Sequence, residues 1–132
     1  MTRAYSLLLV LFAAALTRAA EPIEFSRDVL PILSANCFAC HGPDEHERQA
    51  DLRLDIEDVA KQVRDSGTAV VAGDVDKSSI IARLTSSDPE LVMPPPKANR
   101  KVNPEQIDTL RRWIAEGAKW QRHWSFEPVT RP

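Results

Sequence analysis

Apolar positions along the chain fall into blocks of different period. Residues 7–16 are almost continuously apolar, a run too short to span a bilayer comfortably. After Phe25 the apolar positions return at helical spacing, with Val29, Leu30, Ile32, Leu33 and Cys37 on one stripe. Ser26 stands at the expected N-cap, and Asp28 falls in the first turn, where the helix dipole favours a carboxylate. The pattern predicts a helix over residues 27–39, kinked at Pro31 and stopped by Gly42-Pro43.

Residues 44–49 read as a polar loop. Asp51-Leu52-Arg53-Leu54-Asp55 alternates, which predicts a short extended piece with Leu52 and Leu54 facing inward. A second helix is expected to open at Asp55 or Glu57, run through Val59, Ala60 and Val63, and end near Ser66-Gly67. Residues 70–73 form an apolar segment and a turn, and Asp76 is the expected N-cap of a third helix carrying Ile80, Ile81 and Leu84. Residues 85–102 are irregular and contain Met93-Pro94-Pro95-Pro96. The last helix has the clearest signals. Asn103 caps it, Pro104 takes the first helical position and Gln106 completes a capping box. Ile107, Leu110, Trp113 and Ile114 share one face, and Gly117 ends the helix. The expected fold class is all-α, a small helical domain with irregular connecting loops.

At 132 residues the chain is expected to hold one folded domain. A formal charge of −2 gives no reason to expect nucleic-acid binding. Arg3, the apolar run, and Thr17-Arg18-Ala19 with small residues before the cut read as a secretory signal peptide over residues 1–20. The alternative is an uncleaved N-terminal anchor. Cleavage removes Arg3 and Arg18, which leaves a mature formal charge near −4. The expected division is signal peptide 1–20, folded domain 21–120, and a tail or linker 121–132.

Export changes how two cysteines read, because an oxidising compartment makes a disulfide the default. The pair here lies in Cys37-Phe38-Ala39-Cys40-His41. C-x-x-C-H is the attachment signature of c-type haem. Two thiols add across the two porphyrin vinyl groups, and the neighbouring imidazole reaches the iron from the same side. At the end of a helix, Cys37, Cys40 and His41 fall three and four apart and share a face. A disulfide over so short a loop stabilises little. A zinc site wants four ligands and there is no second cysteine pair. A thioredoxin-like pair opens a helix after a strand, whereas this pair closes one.

A haem held from one side needs a ligand from the other. Once the signal is removed, Met93 is the sole methionine. Its thioether is a soft neutral ligand, and Met/His ligation raises a haem's potential. Proline fixes its own φ and restrains the residue before it, so Met93-Pro94-Pro95-Pro96 makes a stiff strap. Rival ligands are His46, in a charged loop, and His123, among Trp120, Trp124 and Phe126. Both read better as a solvated and a packed histidine, respectively.

These pieces together resemble the class I cytochrome c fold and, more narrowly, the planctomycete-type cytochrome c domain. The resemblance rests on Val29-Leu30-Pro31-Ile32-Leu33, Asn36-Cys37-Phe38-Ala39-Cys40-His41-Gly42-Pro43, Leu52-Arg53-Leu54-Asp55, Gly73-Asp74, Met93-Pro94-Pro95, and Ile107-x-x-Leu110-x-x-Trp113-Ile114-x-x-Gly117-Ala118. It covers residues 25–120. It implies a helical domain wrapped around one covalently bound haem c, with thioethers at Cys37 and Cys40, His41 as the proximal iron ligand and Met93 as the distal one. In that family the domain commonly precedes larger exported domains, and His123-Trp124-Ser125-Phe126 resembles the start of such a junction.

The expected function is single-electron transfer outside the cytoplasm, periplasmic or otherwise exported. A redox partner protein is expected, and membrane attachment only if the signal is retained. No catalytic residue stands out, so the chain reads as an electron carrier and not as an enzyme. The alternatives are a haem-based sensor or docking domain, and an electron-feeding module of a larger exported oxidoreductase. Residues 44–58 are acidic, whereas Lys97, Arg100, Lys101, Arg111 and Arg112 form a separate basic group. Solvated surface explains both groups adequately, with partner steering as the sharper alternative. The apolar helix faces need something to pack on, so the haem-free chain is expected to be poorly folded.

Overall fold

A computed structural model of the chain describes residues 20–121. Most of the expected signal segment and nearly all of the tail, His123 included, lie outside the described residues. Among the described residues the fold is helical, with no strand. None of these helices is long and apolar enough to cross a membrane.

The first helical run begins earlier than the sequence suggests. A π-helical turn, Phe25–Val29, leads directly into α1, Leu30–Asn36, and α2, Phe38–His41. Ser26 is therefore inside the run and Glu24 takes the cap position. The reason is Asp28: its carboxylate reaches back to accept the Glu24 N–H at 2.8 Å, while its own N–H donates to the Glu24 carbonyl. Pro31 sits at the start of α1. A proline ring crowds the carbonyl four residues earlier, and the π turn just upstream takes up that crowding, with Leu30 N–H reaching back to Phe25.

α3, Glu57–Ala60, is shorter than expected. The Ala60 carbonyl accepts from Val70 N–H, and the Val59 carbonyl accepts from the Arg64 guanidinium. The carbonyls that would carry the helix onward are thus taken by other donors. Val63, expected within this helix, lies beyond its end and is 83% exposed. α4, Ser79–Leu84, starts from Ser78 and not from Asp76. The buried Ser78 hydroxyl donates to the Asp74 carbonyl at 2.7 Å and accepts from Val71 N–H at 2.8 Å. It closes the preceding turn. A 3-10 turn, Pro96–Ala98, then leads to α5, Pro104–Ala115.

α5 is built as the sequence predicts. Asn103 and Gln106 exchange both bonds of the capping box, at 2.8 and 3.0 Å. At the other end Ala118 N–H reaches the Trp113 carbonyl and Gly117 N–H reaches Ile114, with Gly117 at φ +104°. This is a Schellman closure, which asks for a residue that tolerates positive φ.

α5 packs on the Phe25–Val29 turn and on α4. Leu110, Trp113 and Ile114 join Val29, Ile32 and Leu33 in one core, with Ile107 half-buried at its margin. Phe25, Trp113 and Trp120 form an aromatic triad with centroid separations of 4.4 to 5.7 Å. Leu54 is buried and Leu52 packs against the same core, as their alternation predicts.

Candidate functional site

Cys37 stands at the junction of α1 and α2, and its N–H still bonds to Leu33 in helical fashion. Its carbonyl accepts from both Cys40 and His41. One turn of helix therefore holds the two thiols and the imidazole. Gly42 then leaves the helix in extended conformation. A Cβ there would come within 2.3 Å of the Phe38 carbonyl oxygen, so the exit is open to glycine alone.

The loop that follows folds back onto this turn. Gln49 N–H donates to Cys40 and Leu54 N–H donates to His41, at 2.8 and 2.9 Å. Ala50 and Asp51 both take positive φ, near 50°, which is costly for residues with a side chain. The half-buried Arg64 secures them, its guanidinium reaching the Asp51 carbonyl at 3.3 Å and the Val59 carbonyl at 3.1 Å.

These elements surround a cavity of about 380 Å³, within the size range of cofactor sites. Cys37, Cys40 and His41 line it, and so does Met93 with Pro94 and Pro95. Two candidate attachment thiols and two candidate iron ligands, with Met93 far in sequence from the other three, thus meet at one cavity. The remaining wall is mostly apolar, from Leu52, Leu54, Ile80 and Leu84 among others. Its charged side chains are Arg83 and Arg100, and no carboxylate lines it.

Both cysteines are free thiols. Burial pushes the Cys37 thiol up to about 12, against a smaller opposing pull from Arg100. Burial also lowers the His41 pKa, the nearby Gln49 carbonyl opposes this, and the Arg64 charge adds to the lowering. Burial therefore favours the neutral imidazole, the form that ligates a metal. His41 Nδ1 is buried with no hydrogen-bond partner.

Of the rival ligands, His46 is exposed and does not line the cavity, and His123 lies outside the described residues. No cluster of three or more His, Cys, Asp or Glu side chains suited to a metal ion occurs among the described residues. Arg83 and Arg100 went unremarked as site residues in the sequence. Arg83 carries a partial signal, since it sits in the helical stripe beside Ile80 and Leu84.

Residues 37–97 match the family model described as Planctomycete cytochrome C. No curated protein and no solved structure matches the chain.

Proposed function

We propose, for a chain whose residues 37–97 belong to the planctomycete cytochrome c family, that it carries single electrons on one covalently attached haem c. The observation that carries this reading is the convergence of Cys37, Cys40, His41 and Met93 on one apolar cavity. The donor set fits the group. Two thiols stand ready to become thioethers, a neutral imidazole and a thioether are soft-to-borderline iron ligands, and the apolar wall suits a porphyrin face.

The Arg100 guanidinium in the cavity wall complements a ligand that is mostly apolar but bears carboxylates. When bound, the haem supplies an iron that changes oxidation state by one electron. The chain's own residues do the rest. Cys37 and Cys40 fix the macrocycle to α2, and His41 offers a neutral nitrogen from the same turn. Met93 would supply a thioether as a second iron ligand, which favours the reduced state. The apolar wall keeps water out and so raises the energy of the more highly charged oxidised site.

Export through the N-terminal segment belongs to the same proposal, because thioether attachment takes place outside the cytoplasm. Exposed Lys97, Arg100 and Lys101 lie on or just beyond the strap and suit a partner with an acidic face. Electron exchange with such a partner should slow as salt is added.

The test is a redox titration of protein made in a host that attaches haem, with and without carbon monoxide. A reversible one-electron wave and slow carbon monoxide binding are expected. Rapid binding of carbon monoxide to the reduced protein would favour the sensor reading instead.

A further inference from the structure

The three prolines after Met93 leave residues 94–96 without a single backbone N–H. The strap can be tied to the fold through backbone donors only at its ends. The Met93 N–H is the last such donor before the prolines, and it donates to the carbonyl of Arg83 at 3.0 Å. That carbonyl lies in the last turn of α4, where the helix leaves its acceptors without internal partners. The segment between is folded on itself, with Leu91 and Val92 N–H both bonding to the Asp88 carbonyl. Its free end returns to the same residue a second time: the Arg83 guanidinium donates to the Leu91 carbonyl over a long 3.4 Å. Both Arg83 and Met93 line the cavity.

We propose that Arg83 is the positioning residue for the distal ligand, gripping the strap at Leu91 and Met93 so that the thioether is held at the cavity. The inference rests on Met93 being an iron ligand. Arg83 does not touch the iron; it acts by limiting how far the strap can swing away. With the guanidinium removed, the backbone bond remains but the strap pivots on it, and the sixth position opens more often.

The experiment uses haem-loaded protein carrying Arg83→Leu, Arg83→Lys or Met93→Ala. In each, peptide mass confirms attachment and far-ultraviolet dichroism confirms the fold. For Arg83→Leu, carbon monoxide should bind the reduced protein about threefold faster, the factor that accompanies loss of one weak, exposed hydrogen bond. The iron–thioether charge-transfer band of the oxidised protein should fade at a lower temperature. Arg83→Lys, which keeps a donor on a flexible stem, should recover part of both. If Met93→Ala opens the iron and Arg83→Leu leaves both readouts at wild-type values, the positioning role is wrong while the ligand assignment stands. If Arg83→Leu moves only the pH dependence of the potential, Arg83 serves a haem carboxylate and the proposal is likewise overturned. If Met93→Ala itself changes nothing, the ligand assignment fails and the proposal falls with it. An Arg83→Leu chain that does not fold leaves Arg83→Lys to decide, by the same two readouts.

Discussion

Trp120 stands edge-on to Trp113, with ring centroids 4.4 Å apart, and donates its indole N–H to the Leu54 carbonyl at 3.4 Å. Leu54 in turn donates to His41. The aromatic triad is thus joined to the cavity wall through one leucine. Trp113 is 2% exposed and packs against both Phe25 and Trp120. Trp113→Ala should cost about 3–5 kcal/mol through lost burial and the cavity it leaves. Chemical denaturation of the haem-loaded protein checks this. A shift in midpoint equivalent to under about 1 kcal/mol would mean that the triad is not the anchor of the core.

Gly42 makes a sharper steric prediction. A methyl group there meets the backbone oxygen of Phe38 within the same turn that carries both thiols, so no side-chain motion relieves it. Gly42→Ala should distort the end of α2 and lower the yield of haem-loaded protein several-fold. Gly73 has a positive φ but nothing within 4 Å of a built Cβ, so Gly73→Ala should cost only about 1 kcal/mol of backbone strain. Equal yields for the two variants would contradict the steric account.

The entry to the first helical run should be pH-dependent. Arg27 beside Asp28, helped by the Glu24 N–H, holds the Asp28 carboxyl below its ordinary 3.8. A carboxyl with a depressed folded pKa adds stability that is present above 3.8 and lost as pH falls through the lower, folded value. Asp28→Asn should therefore be less stable than wild type at neutral pH, and the two should converge under acid. A difference that stays constant down to strongly acid pH would rule out this role for Asp28.

Removal of the haem should loosen the fold. Half-buried Leu52, Ile80 and Leu84 face the cavity, and without a ligand their apolar surface meets water. Haem-free protein, made as Cys37→Ala/Cys40→Ala, should show reduced helicity and a broad melt at a lower temperature. Full helicity with cooperative melting would contradict this.

What the sequence made legible was local chemistry. Asn103, Pro104 and Gln106 specify their helix start through contacts three residues long, and the structure has each of them. The Cys37–His41 spacing likewise needs one turn of helix and nothing else. The misplacements share another cause. The start at Phe25 depends on Asp28 reaching backward, a choice that competes on equal terms with a Ser26 cap until Trp113 and Trp120 bury Phe25. α3 ends early because Val70 and Arg64, distant in sequence, take its carbonyls. Ser78 displaces Asp76 because its hydroxyl closes a buried turn. The grip of Arg83 on Met93 was equally invisible, since it joins a helix end to a loop that no local pattern places beside it.

The central claim is that one porphyrin is bonded through Cys37 and Cys40 and ligated by His41 and Met93. Its most direct test joins the peptide mass of exported protein to its visible spectrum. The account predicts a fragment spanning Cys37 to His41 heavier by one haem, and a low-spin spectrum whose iron–thioether band disappears in Met93→Ala. A colourless product with an unmodified Cys37–Cys40 peptide, from a host that loads other c-type cytochromes, would contradict it.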